Sequence, residues 1–437
     1  MNDPEISVEK AVAQDSSPGS SYAVLRNRDF LVYLTGRFVA SLGQQMLSVA
    51  VDWEIYERTH SALALGFVGL SQMIPMIVCT LPAGHVADNF SRKRIILTTT
   101  LLLAVASFGL TLISALNAPV PWIYLCLVAT GAARTFLWPA SAAFLPHLVP
   151  RSLFARAVTF NSGTFQLSSV AGPAVSGALI AIMSRHHSHP ASLVYALNGV
   201  ASLACFGLVG LIRREHIVAA RQPLSFTHLG AGFKFVFENK IILGTITLDM
   251  FAVFLGGATS LLPIYAKDIL GTGADGLGLL RAAMPIGAVM CALILTHRPP
   301  LQKAGRSMLR SVAVFGMATI VFGFTKWYWL SFLMLFICGA VDNVSVVVRQ
   351  TLVQLLTPDE KRGRVSAVNS LFIGTSNELG GFESGFVAHL FGPALGNTIS
   401  MGAIISVVSG GIGTILIVIA VALIWPEIRK YGRLDGS

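Results

Sequence analysis

The sequence has little charge. Asp, Glu, Lys and Arg make up only 12% of its 437 residues, whereas soluble domains typically contain about 25%. A chain with roughly half that charge cannot cover a water-exposed surface, so a soluble globular protein is excluded. Hydrophobic residues account for 54% of the chain, a fraction that also excludes disorder beyond a short segment.

Motifs of several function classes are missing. No G-x-x-x-x-G-K-[ST] phosphate-binding loop occurs, which argues against an ATP-driven pump. No H-E-x-x-H pattern occurs, which argues against a membrane metalloenzyme. The 5 cysteines are widely spaced within apolar stretches, a pattern that is not typical of disulfide frameworks or metal sites. We therefore predict no enzyme activity, no cofactor and no resident metal.

Apolar runs dominate the rest of the chain. A membrane-spanning helix needs about 20 apolar residues, and runs of this length recur between charged or Pro/Gly breaks. We predict an all-α membrane protein with twelve transmembrane helices, at 30–52, 62–87, 95–117, 121–147, 155–183, 192–212, 241–266, 276–296, 309–325, 328–350, 366–391 and 401–425.

Basic residues concentrate in alternate loops. Most of the 31 Lys and Arg residues lie in both terminal tails, in the long central segment, and after spans two, four, eight and ten. The opposite loops contain only Arg58, Arg185, Lys267 and Lys326. Because cytoplasmic loops are enriched in basic residues, we predict that both termini are cytoplasmic. The net charge of +10 then requires no nucleic-acid partner.

The two halves of the sequence resemble each other. The loop LVPRSLFARAVTFNS at 148–162 aligns without gaps with LTPDEKRGRVSAVNS at 356–370. The same register matches Gly172 with Gly380 further along the chain. Repeated sets of six spans are typical of transporters whose substrate site lies between the halves, near the bilayer midplane.

The repeat divides the chain into two pseudo-symmetric six-helix bundles. Residues 1–25 are polar and rich in serine and lack the features of a secretory signal, so we expect a disordered cytoplasmic tail. The remaining parts are an N-terminal bundle at 26–212, a cytoplasmic linker at 213–240, a C-terminal bundle at 241–428 and a tail at 429–437.

The loop between the second and third spans reads GHVADNFSRKR, at 84–94. Gly84 permits close approach of another helix, and Asp88 can accept hydrogen bonds from the N-terminus of a neighbouring helix. Arg92 supplies a charged partner. We expect these three residues to form a latch that holds one conformation, whereas the remaining basic residues of the loop fit plain membrane anchoring.

The fifth span contains the segment GPAVSG. Gly172 and Gly177 are small residues that allow membrane helices to pack closely. Pro173 introduces a kink, because proline removes a helical hydrogen bond. The segment therefore predicts a close helix crossing.

These motifs carry a family resemblance. The loop at 84–94 is similar to the G-x-x-x-D-x-x-x-R-K-R signature of the major facilitator superfamily, and Gly172–Gly177 resembles the GP-x-x-GG element of its exporters. Segments 52–94, 260–288 and 349–385 resemble its drug:proton antiporter branch, which includes bacterial enterobactin exporters.

The resemblance implies a monomeric bacterial inner-membrane exporter that works by alternating access. Its expected partners are the lipid bilayer, protons and a small-molecule substrate, either a siderophore such as enterobactin or a macrolide-like drug. A membrane sensor on the same scaffold, without transport, is the alternative.

Charged residues inside the spans are candidates for function. A charge at the bilayer centre costs roughly 2.5–3.5 kcal/mol, so each one needs a partner or a wet cavity. Arg134 and Asp342 occupy equivalent positions in the repeat, and we expect them either to pair in only one conformation or to form a permanent ion pair. Arg37 either meets an anionic substrate or extends to the cytoplasmic interface.

Three further carboxylates are candidates for carrying protons: Asp249, Glu378 and Glu383. A carboxyl group kept from water holds a proton more readily. Helical spacing points Glu378 and Glu383 in different directions, so at most one of them faces a cavity.

Other polar and aromatic groups have plainer interpretations. Asp52 and Glu54 lie near the outer end of the first span, where we expect them to be hydrated. Trp138 is deep enough to stack on a flat substrate, although most of the tryptophans fit the interface belt. His186, His187 and His189 fit a solvated loop better than a metal site.

The latch makes a first testable prediction. We expect Asp88→Asn to reduce export while the protein remains folded and inserted, because the carboxylate that accepts hydrogen bonds in one conformation is lost. Efflux from cells and the amount of protein in the membrane fraction are the measurements. Wild-type turnover by a fully inserted variant would rule out the latch.

Overall fold

A computed structural model describes residues 22–186, 188–213, 233–298 and 302–432. These residues form helices and short connections, without strands in the described ranges. The helices are α1 Arg28–Thr59, α2 Ala62–Asn89, α3 Arg92–Ala115, α4 Pro121–Leu148, α5 Phe154–Met183, α6 Pro190–Gly210, α7 Lys240–Leu255, α8 Ala274–Thr296, α9 Ala304–Phe324, α10 Tyr328–Leu356, α11 Asp359–Phe391, α12 Ile399–Ile424 and α13 Pro426–Lys430.

Local sequence signals fix where several helices begin. The side chain of Asn27 accepts a hydrogen bond from the backbone of Phe30 at the start of α1, and Asn239 and Thr398 cap α7 and α12 in the same way. Such caps satisfy backbone N–H groups that have no partner within the helix. Pro190 occupies the first turn of α6, where a missing N–H group costs nothing.

Several helices extend beyond the predicted spans. The first span was predicted at 30–52, but α1 continues to Thr59, and α11 begins at Asp359, seven positions before the predicted 366. The difference has a physical reason, because hydropathy marks only the apolar part of a helix, whereas capping and backbone hydrogen bonding determine its ends.

Ten helical segments of the described residues are long and apolar enough to cross a membrane. The helices α1 and α11 are not among them, because each contains several charged residues. The protein is therefore a multi-span, all-helical membrane protein.

The seventh predicted span is not one continuous helix. After Leu255 the chain passes through Gly256 and Gly257 into a 3-10 turn at Ala258–Leu261, and a π-helical turn at Tyr265–Ile269 follows. Glycine is a poor helix former, and a side chain at Gly257 would lie 2.4 Å from the backbone oxygen of Gly380 in α11. The break therefore lets α11 approach closely.

Helix packing divides the chain into two groups. Within the first group α1 packs on α5 and α6, and α4 packs on α2 and α3; within the second, α8 packs on α10 and α9 packs on α12. The extensive contacts between the groups are made by α2 with α11 and by α5 with α8.

The apolar core is shared at one end of the molecule only. Its largest cluster combines residues of α1, α2 and α6 with residues of α8, α10 and α12. The remaining clusters lie within one group each. We call the shared end, where α1 finishes and α2 begins, the closed end.

Glycines permit the helix crossings at the closed end. A side chain at Gly177 would lie 2.4 Å from the backbone oxygen of Ala274, and one at Gly385 would lie 2.6 Å from that of Ala62. Since real side chains are not accommodated at such distances, only glycine fits these contacts between the two groups. Gly172 packs in turn against Gln45 within the first group.

These crossings give a test of the closed end. We expect Gly385→Val to lengthen the distance between spin labels at Arg185 and Lys326, two exposed residues in connections at this end, because the added methyl groups push α11 from α2. Electron–electron resonance on reconstituted protein measures that distance. Gly207→Val is the matched control, because a side chain there meets nothing within 4 Å; equal distances in both variants would contradict the expectation.

Candidate substrate cavity

A cavity of about 770 Å³ lies between the two helix groups. Its lining comes from α1 to α6, α8 and α11, together with the turn that follows the break in α7. The polar lining side chains include Ser41, Gln44, Gln45, Ser48, Gln72, Thr100, Ser141, Asn161, Ser162, Thr164, Gln166, Ser202, Thr259, Ser260 and Asn377. The site is therefore rich in hydrogen-bonding groups.

A partly buried ion pair between the two groups lies where the cavity meets the closed end. The guanidinium of Arg281 in α8 donates to Asp52 of α1 at 2.6 Å. The same guanidinium donates to the hydroxyl of Ser48 and to the backbone oxygen of Thr259, both at 3.1 Å. Arg281 thus joins α1, α8 and the turn after α7 at one point.

The structure corrects the expectation that Asp52 and Glu54 are hydrated. Each is only 6% exposed. Helix α1 continues past both residues, and its last turns are covered by α8 and other helices of the closed end. Because both carboxylates are buried they need partners, and Glu54 pairs with Arg58 just as Asp52 pairs with Arg281.

Two further contacts join the groups at the end of α1. The hydroxyl of Tyr56 donates to Asp268, and Lys267 pairs with Glu57 at 2.8 Å. These contacts between the two helix groups, like that of Arg281 with Asp52 and Ser48, lie at the closed end. From there the cavity runs along α1, α4 and α5 to residues such as Tyr33 and Leu145 at the opposite end.

Arg134 lines the cavity and does not pair with Asp342 in this conformation. Its guanidinium donates to the side-chain oxygen of Gln72 in α2 at 3.0 Å, and the carboxylate of Glu378 in α11 is in electrostatic contact with it. Asp342 does not line the cavity. In this conformation the described residues show no Arg134–Asp342 ion pair; the two equivalent positions lie in different environments.

Arg37 also lines the cavity, without a hydrogen bond or ion pair to any described residue. The hydroxyl of Tyr33 donates to the backbone oxygen of Ser141 at 3.3 Å, which sets α1 beside the antiparallel α4. Arg37 lies about one helical turn, or 5.4 Å, after Tyr33 in α1, and Trp138 lies about one turn before Ser141 in α4. Because the two helices are antiparallel, Arg37 and Trp138 lie at the same level. Trp138 is 60% exposed and lines the same cavity.

The remaining acidic candidates are separated from one another. Glu378 lines the cavity, whereas Glu383 does not. Asp249 lies outside the cavity as well, where it pairs at 2.7 Å with Arg349 of α10. Asp249 and Arg349 are both buried.

The predicted latch is only partly described. Arg92 donates to the backbone oxygen of Ala143 at 3.3 Å and contacts His147, so it ties α3 to α4. A side chain at Gly84 would meet nothing within 4 Å, so the close helix approach that we expected there is absent from this conformation. The side chain of Asp88 lies outside the described part of the structure, as does His187.

Sequence reasoning missed three residues of these networks: Gln72, Arg281 and Arg349. The two arginines lie within or at the edge of predicted spans, and the rule that an intramembrane charge needs a partner applied to them as much as to Arg134. The rule identifies which residues need partners without identifying the partners. Gln72 lies in the apolar helix α2, but it is neutral, so a rule about charges does not identify it.

Long apolar helices around a polar cavity that is closed at one end define a membrane transporter. A family model of the Major Facilitator Superfamily matches residues 33–381. The chain therefore belongs to this superfamily, as the motifs at 84–94 and 172–177 indicated.

Relatives and solved structures agree with the assignment. The enterobactin exporter EntS of Citrobacter koseri is 25% identical over 406 residues, which cover 92% of this chain and 93% of that protein, and EntS of Shigella boydii serotype 18 matches equally. One solved structure is that of a bacterial homolog of the human lysosomal transporter Spinster, in an inward-facing and unoccupied conformation. Its TM-score is 0.70 at 15% identity, and the match covers 95% of this chain and 99% of the Spinster homolog. For a D-xylose-proton symporter the TM-score is 0.69 at 14% identity, with 93% and 99% coverage.

The pair between α1 and α8 has a measurable effect on stability. We expect Asp52→Asn or Arg281→Gln alone to lower the free energy of unfolding by about 1–3 kcal/mol, because each leaves a largely buried polar group without its partner. The double variant should lose clearly less than the sum of the two. Denaturant unfolding in detergent measures all three.

The pair Glu57–Lys267 is the matched control. It also joins the two groups, but its side chains are 38% and 31% exposed, so its removal should cost no more than about 1 kcal/mol. Additive losses for Asp52 and Arg281 would contradict a direct interaction.

Proposed function

We propose that this transporter is a secondary exporter that moves a small acidic molecule out of the cytoplasm in exchange for protons, by alternating access. The observation that carries the proposal is the cavity of about 770 Å³, which is blocked at one end by Asp52–Arg281 and runs between the helix groups to the other end. A solute that enters such a cavity meets a barrier that must open before it can leave on the far side.

The architecture of the proposal is twelve membrane-spanning helices in two pseudo-symmetric six-helix bundles, 26–212 and 241–428, joined by the linker 213–240. It is supported by the two groups of packed helices and by the core clusters that stay within one group. We further propose a monomer in the bacterial inner membrane with both terminal segments, 1–25 and 429–437, in the cytoplasm.

The orientation makes this conformation inward-facing. Arg92, Arg151 and Arg156 lie in or beside the connections at the end opposite the closed end, and basic loops are predominantly cytoplasmic. The open part of the cavity then faces the cytoplasm, where an exporter takes up its substrate.

The charges of the cavity favour an anionic substrate. Its lining contains three arginines and two carboxylates. Asp52 is neutralised by Arg281, and Glu378 is in contact with Arg134, so the charge of Arg37 is left over. An acidic aromatic molecule in the cavity can accept charge-assisted hydrogen bonds from the guanidinium of Arg37. At the same level, it can stack on the exposed ring of Trp138.

The names of the relatives narrow the substrate class. Proteins that match over most of this chain are named enterobactin exporters, so a siderophore is the first substrate to test. The alternatives are a macrolide-type drug and a sensor that transports nothing; each is an outcome of the experiment below.

In the transport cycle the two bundles rock about the central cavity. Opening of the closed end requires Asp52 to leave Arg281 and the contacts at Gly177 to separate. Gly84, Asp88 and Arg92 then form the latch of the opposite conformation, and Gly172 and Pro173 shape α5 around the cavity. Arg134, Glu378 and Glu383 belong with Arg37 to the substrate and proton pathway.

Reconstitution tests the function. We expect vesicles that contain the protein to accumulate enterobactin when a pH gradient is imposed. The Arg37→Gln variant should lower this uptake about tenfold. A hydrogen bond to a charged group contributes about 1.5–3 kcal/mol, and a loss of 1.4 kcal/mol corresponds to a factor of ten. Arg37→Lys should retain part of the uptake, because the charge remains.

Arg185→Gln, in an exposed connection at the closed end, is the matched control and should transport normally. Uptake of erythromycin instead of enterobactin would indicate macrolide efflux, and no proton-linked flux of either compound would favour the sensor. Equal uptake by the Arg37→Gln variant and the wild type would exclude the anion site.

A further inference from the structure

A buried group of charges lies outside the substrate cavity. It consists of Asp249 in α7 and of Asp342 and Arg349 in α10, which we call the acid–arginine cluster. Arg349 pairs with Asp249 at 2.7 Å, and their side chains are 3% and 7% exposed. Asp342 is in electrostatic contact with both of them. None of the three residues lines the cavity.

The cluster is not balanced. Two carboxylates face one guanidinium, so if all three groups were ionised a net negative charge would remain buried. An isolated buried charge is far more costly than a neutral group, and such sites bind or release a proton instead. Asp249 has the direct ion pair with Arg349, whereas the described residues provide no ion pair for Asp342. The proton therefore belongs on Asp342.

Asp342 is also the member of the cluster that water can reach. It is partly exposed, whereas Cys338, Ser345 and Arg349, on the same face of α10, are each about 2% exposed. Asp342 is therefore the most exposed member of the cluster. Protons can be exchanged there while Asp249 and Arg349 stay covered.

The surroundings offer Asp342 no second cation. On α10 its nearest titratable neighbour is Cys338, which Thr319 of α9 approaches at 3.7 Å. From α11, the amide oxygen of Asn369 lies 3.5 Å from Arg349. Helix α8 packs on α10 with Met284 against Gly339; among the residues that the structure describes, it adds no charge in contact with Asp342.

We propose that Asp342 is the residue that binds the coupling proton, and that Arg349 is a positioning residue that keeps Asp249 ionised beside it. This inference rests on the proposed exporter function and deepens it by naming the proton site. The proton and the substrate then occupy different places, the cluster and the cavity, so they are coupled through the movement of α7 and α10 and do not compete for one group.

Infrared spectroscopy detects the proton without any substrate. Protonated carboxyl groups have their own carbonyl band, and difference spectra of the reconstituted full chain at neutral pH count them. We expect Asp342→Asn to lose one protonated carboxyl relative to the wild type. Asp249→Asn should also lose one, because Arg349 then pairs with Asp342 and ionises it.

The double variant gives the decisive count. The wild-type cluster holds only one protonated carboxyl. The variant with both acids replaced should therefore lack one protonated carboxyl relative to the wild type, and not two. Other buried carboxyls, such as Glu378, remain in every variant and cancel in the differences. Asp275→Asn, at an exposed aspartate, is the matched control and should lose none.

Each outcome decides the proposal. An unchanged spectrum of Asp342→Asn, or a loss of two carboxyls in the double variant, would overturn it. Conservative variants distinguish the two acids and keep the proposal testable if Asp342→Asn does not fold. Asp342→Glu should shift the protonated carbonyl band to that of a glutamic acid, whereas a shift in Asp249→Glu instead would overturn the assignment to Asp342.

Transport measurements distinguish a failure of the proposed proton site from a failure of the proposed export function. With enterobactin as the probe, the Asp342→Asn variant should let the compound flow down its own gradient but not accumulate it against that gradient when a pH gradient is imposed. Loss of the infrared band without any enterobactin flux in the wild type would contradict the substrate and leave the proton site standing. Flux in the wild type with an unchanged band would contradict only the proton site.

Discussion

The need to give charged groups inside the molecule a polar partner governs how many of these helices are arranged. Asp52 of α1 meets Arg281 of α8, Asp249 of α7 meets Arg349 of α10, and Arg134 of α4 meets Gln72 of α2. Each contact joins two helices that are distant in sequence. In lipid, where apolar surface drives association only weakly, such contacts specify which helices become neighbours.

The polar pairs and the glycine crossings have different tasks. Glycines such as Gly177 and Gly385 allow backbones to approach at the closed end, and this packing is the same whatever the protonation state. The pair Asp52–Arg281 lies where the same end meets the cavity, and its strength depends on charge. The closed end thus combines a fixed steric contact with an electrostatic contact that a proton or an anion is able to weaken.

The apolar pattern predicted the helices well because a bilayer imposes one length and one composition on every span. It located the seventh span but not the break within it at Gly256 and Gly257, since hydropathy does not register backbone geometry. It identified Arg134, Asp249 and Asp342 as charges that need partners, but the partner depends on how helices cross. The expectation of hydrated Asp52 and Glu54 failed for the same reason, because the sequence of α1 alone does not tell what covers its end.

The break in α7 divides one helix between two parts of the molecule. The turns after Gly257 contribute Ala258, Leu261 and Tyr265 to the core shared by both groups, whereas Leu248 and Ala252 before it pack only within the second group. The break therefore places two contacts on separate segments that are joined by two glycines. Asp249, which pairs with Arg349, lies before the break, and Thr259, whose backbone oxygen accepts a hydrogen bond from Arg281, lies after it.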